Sequence, residues 1–350
     1  MAVVLYRKYR PQTFSEVIGQ EHVLQTLTNA ISSEMISHAY LFSGPRGSGK
    51  TSVARLLAKA VNCQNLEESE PCNKCASCFA VNQGNAIDLI EIDAASNRGI
   101  DEIRELREGI KFAPTKSKYK VFIIDEAHQL TKEAANALLK TLEEPPQHAI
   151  FILATTEIHK MIPTIISRCQ RFDFRKLTLP EITKQLEITS QKEGVKAEKE
   201  ALELIASNSQ GSSRDAISML DQAITFCQSL KDKEVTLKEV KELLGLVESK
   251  VVSQFVDYLK NNDAKGAVQY LNEIYEKGTD LETFTKALIE HLRQILVLRL
   301  TGELTNGFGE VELQKILKIF LQAQTQMKYS PIPQLPLELA IVEVLQIVEK

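Results

Sequence analysis

Long apolar runs are missing from this chain of 350 residues. None approaches the roughly 18 residues that a membrane-spanning helix requires. The opening MAVVLYRKYRPQTF is too basic and too poor in apolar residues for a secretory signal. These absences point to a cytoplasmic protein with no membrane role, in a compartment where thiols stay reduced. A basic excess is missing too: net charge is −4 and the isoelectric point about 6.0. Nucleic-acid binding is therefore not written across the whole surface, although such an average leaves room for a local basic patch. There is no repeat of 20–50 residues and no low-complexity tract. The six histidines show no metal-ligand spacing, and cysteine is scarce, at six residues. The remaining composition, 43% hydrophobic and 25% charged, is ordinary for a globular protein. The length suits two or three domains.

What is present changes character along the chain. From about residue 20 to 178, helical and strand patterns alternate. EHVLQTLTNAIS carries Val23, Leu27, Ala30 and Ile31 at helical spacing. HAYLFSG reads as a short buried strand ending in a glycine loop, and Lys50 to Asn62 as a helix. IDLIEID (87–93), VFIID (121–125) and IFILATT (150–156) read as buried strands, with a helix at Thr131–Leu142 among them. Continuous apolar strands separated by helices predict a parallel sheet covered on both faces. At Leu179-Pro180 the strand signals stop. PEITKQLEITSQKEG, EKEALELIASNS and SSRDAISMLDQAITF predict three amphipathic helices, and a charged hinge, KDKEVTLKEVKELLG, follows. Five further helical patterns run from VVSQFVDYLK to LPLELAIVEVLQIVEK. The expected organisation is an α/β domain over 1–178, a three-helix domain over 179–242 and an all-helical domain over 243–350.

Residues 44–51, GPRGSGKT, follow one predicted strand and open a predicted helix. This is the G-x-x-x-x-G-K-[ST] pattern in the context it needs. Gly44, Pro45, Arg46, Gly47, Ser48 and Gly49 form the loop whose backbone N–H groups turn toward phosphate oxygens, with Ser52 just inside the helix. Lys50 reaches the outer phosphates and Thr51 ligates Mg²⁺. Asp125 ends the strand VFIID 75 positions after Lys50, where it suits the magnesium water shell, and Glu126 suits orientation or deprotonation of an attacking water. Together the two motifs point to hydrolysis of a nucleoside triphosphate. Thr155 and Thr156 end a strand beside the loop, either as γ-phosphate sensors or simply as strand-forming residues. Arg214, early in the third helix after the sheet, is either a phosphate contact from the second domain or a surface arginine.

Cys63, Cys72, Cys75 and Cys78 follow the spacing C-x8-C-x2-C-x2-C. Four thiolates suit tetrahedral Zn²⁺ with no open position, hence a structural site. A redox C-x-x-C, an iron–sulfur cluster, and free thiols or a transient disulfide are the alternatives. The polar segment NLEESEPCNK buries little core of its own, so a metal would stabilise it. Cys169 and Cys227 read as small packed residues.

GPRGSGKT, VFIIDEAH, LEEPP (142–146), LATT (153–156) and SRC (167–169) together resemble the AAA+ clamp-loader ATPases. YRPQTFSEVIGQEH, DLIEIDAASNRGIDEIRE and GSSRDAISMLDQA bring the resemblance to the gamma/tau family of bacterial DNA polymerase III. It covers essentially the whole chain and is most specific over residues 5–225. The resemblance implies a RecA-like AAA+ domain with an inserted zinc module at about 63–78, then a three-helix lid and an all-α collar. It implies ATP, Mg²⁺ and Zn²⁺ as cofactors. Arg168 becomes an arginine finger acting on a neighbouring subunit, Arg214 the arginine that couples the lid to nucleotide, and Thr155 or Thr156 the first sensor. Val17 and Ile18 would pack on adenine. The implied partners are the other loader subunits in a hetero-oligomeric pentamer, the sliding clamp, and primed DNA touching Arg98, Arg104 and Lys140, which are otherwise solvated helix residues. The alternatives are another AAA+ DNA-processing motor, of branch-migration or helicase-loading type, and a non-catalytic scaffold subunit.

Overall fold

The computed structural model describes residues 4–96, 108–110, 112–228, 234–245, 249–302 and 307–348. They fall into two compact units, Met1–Thr236 and Leu237–Lys350. Each has its own core.

The first unit is built on five parallel strands: β1 (Ala39–Ser43), β2 (Leu89–Asp93), β3 (Lys120–Asp125), β4 (Ala149–Thr155) and β5 (Gln170–Asp173). Their order in the sheet is β2-β3-β4-β1-β5. The central strands β1 and β4 are buried along their whole length, which is why their sequences are apolar without alternation. Successive side chains still go to opposite faces. Tyr40, Phe42, Ile123 and Ile152 pack against the helices Glu21–Ser32 and Lys50–Val61, whereas Leu41, Phe122, Ile124 and Phe151 pack against Lys132–Glu143. The result is the three-layer arrangement expected from the sequence.

β5 has no counterpart among the predicted strands. Only Phe172 of its four residues is buried, so its sequence carries no continuous apolar run. It forms because an edge of β1 is free to pair, and Phe172 then stacks edge-on against Phe42 at 5.8 Å. Beyond the sheet, the three expected helices appear as Leu179–Lys192, Lys199–Asn208 and Ser213–Gln228. A two-residue parallel ladder, Lys196–Ala197 with Glu234–Val235, joins them where only helix was expected. Part of the segment read as a charged hinge is thus a strand and the helix Leu237–Leu243. Strands of two residues are too short to leave a periodic signal.

The second unit contains the five expected helices, Ser249–Lys260, Ala264–Glu276, Leu281–Leu300, Glu310–Met327 and Leu335–Val348. Phe255, Phe284, Phe320 and Ile341 are at its centre, with the Phe255 and Phe284 rings edge to face at 5.2 Å. No helix among the described residues is long and apolar enough to cross a membrane.

The passage from β5 to the lid helices is held by a bidentate ion pair. Arg175 Nη1 and Nη2 donate to Glu181 Oε2 and Oε1 at 2.8 and 2.6 Å, and the Thr178 N–H donates to the same carboxylate at 2.7 Å. The guanidinium contact holds the Glu181 carboxyl down at about 2, against its ordinary 4.5. A carboxylate whose pKa is lower in the folded state stabilises the fold above its unfolded value and loses that contribution as the pH falls through the folded value. Denaturant unfolding of the whole chain should therefore show stability falling between pH 4.5 and 2. Glu181→Gln should remove part of that slope; an unchanged slope would contradict the assignment.

Candidate active site

β1 delivers the chain to Gly44, whose φ is +152°. A Cβ there would sit 2.4 Å from the Phe174 carbonyl oxygen, so no side chain fits. Gly47 turns with φ +73°, and a Cβ would come within 2.0 Å of Ser212 Oγ at the start of the third lid helix. Its carbonyl accepts from the Ser213 N–H at 3.1 Å, tying loop to lid. The helix Lys50–Val61 then begins with its N-terminus, and the partial positive charge it carries, at the loop. Lys50 is 5% exposed, and its Nζ donates to the Gly44 and Pro45 carbonyls at 2.8 Å each. Burial pushes its pKa down, and the Glu126 and Asp125 carboxylates oppose that. One residue on, Thr51 Oγ1 donates to Asp125 Oδ2 at 2.8 Å, which brings the two expected magnesium ligands together.

Glu126 leaves β3 in the left-handed region, φ +48°, which turns its carboxylate back toward β4. Thr156 Oγ1 donates to Glu126 Oε2 at 2.8 Å and the Thr156 N–H does so at 3.3 Å. The two threonines are thereby told apart. Thr155 is fully buried, and its hydroxyl lies 3.0 Å from His128 Nδ1 and accepts from the Glu157 N–H at 3.0 Å. Thr156 holds the acidic side chain, whereas Thr155 faces the interior.

Above these residues opens a cavity of about 680 Å³. Arg46, Gly47, Gly49, Lys50, Thr51, Ser52, Asp125 and Glu126 form its floor. The lid contributes Gln185, Ser213, Arg214 and Ile217, with the Arg214 guanidinium 4.8 Å from the centre of the Tyr6 ring. A third wall comes from the N-terminal segment Tyr6, Tyr9, Arg10, Pro11 and Gln12, and a fourth from Arg55, Lys59 and Asn82. Motif reading missed these last two groups. The only signal was the cluster of aromatic and basic residues in YRKYRP. Gly44, Pro45 and Ser48 shape the loop from behind: Ser48 is buried and its Oγ donates to the Pro45 carbonyl at 2.8 Å. Val17 and Ile18 are absent from the lining among the described residues; Val17 packs against the sheet's helical core instead.

Arg168 lies outside this cavity. Its Nη2 donates to Glu143 Oε1 at 2.6 Å and its Nη1 to the Thr164 carbonyl at 2.8 Å. Lys140 is exposed on the helix Lys132–Glu143. Arg98 and Arg104 fall outside the described residues.

The four clustered cysteines converge. One sulfur from each of Cys63, Cys72, Cys75 and Cys78 lies within 4.8 Å of the others. A tetrahedron with Zn–S bonds of ~2.3 Å needs sulfurs roughly 3.8 Å apart, so a small contraction closes the cage. Backbone N–H groups already point at the sulfurs: Cys72 N to Cys63 Sγ at 3.3 Å, and Cys75 N to Cys72 Sγ and Cys78 N to Cys75 Sγ at 3.4 Å. Donation from the Lys74 and Cys75 backbone brings the Cys72 thiol down to about 6. An all-sulfur set with no open position fits structural zinc. Cys169 stands apart, its thiol pushed up to about 12 by burial.

A parallel sheet with a phosphate loop after β1, an acidic pair at the end of β3 and an arginine from a helical lid defines a P-loop nucleotide-binding fold of the AAA+ type. Comparison with known proteins agrees. Residues 19–178 match the family model described as DNA polymerase III, delta subunit; 181–229 match the DNA polymerase III clamp loader subunit ATPase lid domain; 235–312 match domain III of the gamma and tau subunits. The chain is 43% identical to DNA polymerase III subunit tau of Bacillus subtilis over 98% of its own length and 63% of that protein's. It is 41% identical to the tau subunit of Escherichia coli over 89% of its own length and 48% of that protein's. The chain thus spans about half to two thirds of these longer relatives. With subunit gamma of Buchnera aphidicola it shares 36% identity over 98% of both chains. The chain belongs to the family of DNA polymerase III gamma and tau subunits. The fold is shared with the RuvB Holliday junction branch migration motor of Thermotoga maritima, at a TM-score of 0.51 and 19% identity over 72% of this chain and 79% of that one.

Metal analysis of the purified chain should find about one zinc per molecule, as a closed four-sulfur site requires. Cys78→Ser should lower that occupancy and expose the insertion to proteolysis. Iron in place of zinc, or a metal-free chain with intact structure, would overturn the assignment.

Proposed function

We propose that this chain is the ATP-hydrolysing motor subunit of a bacterial clamp loader, which places a sliding clamp on primed DNA during replication in the cytoplasm. The three-part division into an ATPase domain, a lid and a collar belongs to this reading. The observation that carries it is the arrangement of charge about the cavity. Lys50, Arg46 and Arg214 line it together with Asp125 and Glu126, while Arg168 sits elsewhere, on a different part of the surface.

The chemistry follows from those positions. Lys50 exchanges its two carbonyl partners for the outer phosphate oxygens of ATP, and the loop N–H groups hold the rest of the polyphosphate. Thr51 and Asp125 would hold Mg²⁺, which neutralises phosphate charge when bound. Glu126, positioned by Thr156, orients the attacking water and takes its proton. Arg214 brings the lid onto the phosphates, so lid position reports the nucleotide state. Arg168 completes the site of a neighbouring subunit, so hydrolysis waits for assembly. ATP binding between subunits favours one arrangement of the ring, which clamp and DNA bind better, and hydrolysis removes that preference. Phosphate-tracking residues such as Lys140, Arg98 and Arg104 would contact the duplex. A purely structural subunit would have no use for the Thr51–Asp125 pair or for a buried Lys50.

Steady-state hydrolysis in the assembled loader tests the reading. Clamp and primed DNA together should stimulate it, and a four-way junction should not substitute. Arg168→Ala should lower stimulated turnover by about 10³-fold, the scale of a lost arginine finger, while ATP binding by the isolated chain stays within about twofold. Full stimulation in that variant would remove the trans role of Arg168. No response to clamp and primed DNA would remove the proposed function.

A further inference from the structure

The motor reading leaves the cysteine insertion without a task. Its connections to the cavity supply one. Lys59 stands two and a half turns along the helix that begins at the phosphate loop, and is only 2% exposed. Its three ammonium protons go to three neutral amide oxygens: Gln12 Oε1 at 3.0 Å, Asn73 Oδ1 at 2.6 Å and Asn82 Oδ1 at 3.0 Å. A buried cation with no carboxylate hydrogen bond depends on negative charge close by. Burial pushes the Lys59 pKa down, and Cys78, Glu16, Cys63 and Glu70 oppose that. Each of its amide partners leads somewhere. Asn73 lies between Cys72 and Cys75, Asn82 is on the helix Ala76–Gln83 anchored by Cys78, and Gln12 and Asn82 line the cavity.

A second tie runs from the insertion to the same wall. The Glu70 carboxylate accepts from the Phe14 N–H through one oxygen and from the Ser15 N–H through the other, both at 2.7 Å. The N-terminal segment is therefore gripped by the insertion at Phe14 and Ser15, and by Lys59 at Gln12. Its other end is gripped by the lid, through the Leu5 N–H on Asp221 Oδ2 at 3.1 Å and Lys8 Nζ on Glu193 Oε1 at 2.7 Å. Between these grips run Tyr6, Tyr9 and Arg10, which face the cavity.

We infer that the cysteine insertion is a positioning element for nucleotide binding: the metal-held loop fixes Glu70 and Asn73, and these fix the N-terminal segment that walls the cavity. The inference rests on the cavity being a nucleotide site, and makes Glu70 and Lys59 positioning residues that touch no substrate themselves. Metal and nucleotide are then linked through one wall, and linkage of this kind is reciprocal. Removing zinc weakens nucleotide binding, and bound nucleotide tightens the hold on zinc by the same factor.

Two titrations on the full chain test this. One follows a fluorescent ATP analogue; the other follows zinc lost to a chromophoric chelator, with and without ATP. In the wild type, each ligand should change the affinity for the other by on the order of tenfold. Glu70→Ala should keep its zinc and its melting temperature, bind the analogue about five to ten times more weakly, and reduce the reciprocal coupling below about twofold. Glu68→Ala, in the same loop but exposed, should behave as wild type. Should the metal-stripped chain unfold, Glu70→Ala still decides, because it retains metal. Unchanged analogue affinity and unchanged coupling in Glu70→Ala would overturn the inference while leaving the nucleotide reading intact. A wild-type chain that bound no ATP analogue at all would overturn both.

Discussion

Everything at the candidate site depends on three parallel strands ending at one level. β4 lies between β1 and β3, with Ser43 opposite Thr155 and Ile124 opposite Leu153. In that register the phosphate loop, the acidic pair and the threonines leave the sheet side by side, although more than a hundred positions separate the first from the last. A slip of one residue in β3 would turn Asp125 to the opposite face of the sheet and part it from Thr51. The buried apolar faces of β1 and β4 guard against that slip, since each register error would bring polar ends into the core. Packing of Phe122 on Phe151, stacked at 5.3 Å, is one of the contacts that lock the alignment.

This frame also shows how an acidic chain can hold a polyanion. Arg10, Arg46, Lys50, Arg55, Lys59 and Arg214 gather around one cavity, with Asp125 and Glu126 as its carboxylates. Net charge says nothing about such a gathering, because field lines focus where low-dielectric walls enclose like charges. The cations arrive from four places in the fold: the loop, its helix, the lid and the N-terminal segment. Distant parts of the first unit thus meet around one cavity.

Legibility in the sequence followed the range of the interactions involved. The phosphate loop, the strand ending in Asp125 and the cysteine spacing are local patterns, and the structure gathers each set as expected. The helices of the lid and second unit were equally legible, because a 3.6-residue period survives in the sequence whatever they pack against. The distinction between Thr155 and Thr156 was hidden, since it turns on whether a hydroxyl meets His128 or Glu126 across the sheet. β5 was hidden because pairing with β1, rather than its own composition, makes it a strand. The cavity walls at Tyr6–Gln12 and Lys59 left little trace for the same reason: their partners lie tens to hundreds of residues away. Val17, expected against the base, packs against the core, and neither it nor Ile18 lines the cavity described.

We propose that Glu126, held by Thr156 beside the Thr51–Asp125 pair, activates water for hydrolysis of bound ATP. Turnover by Glu126→Gln in the assembled complex tests it most directly, because the amide keeps the shape and the Thr156 hydrogen bond yet cannot take a proton. ATP binding should stay close to wild type and hydrolysis should fall by about 10²–10⁴-fold, the range for a lost general base. Hydrolysis at the wild-type rate would contradict it.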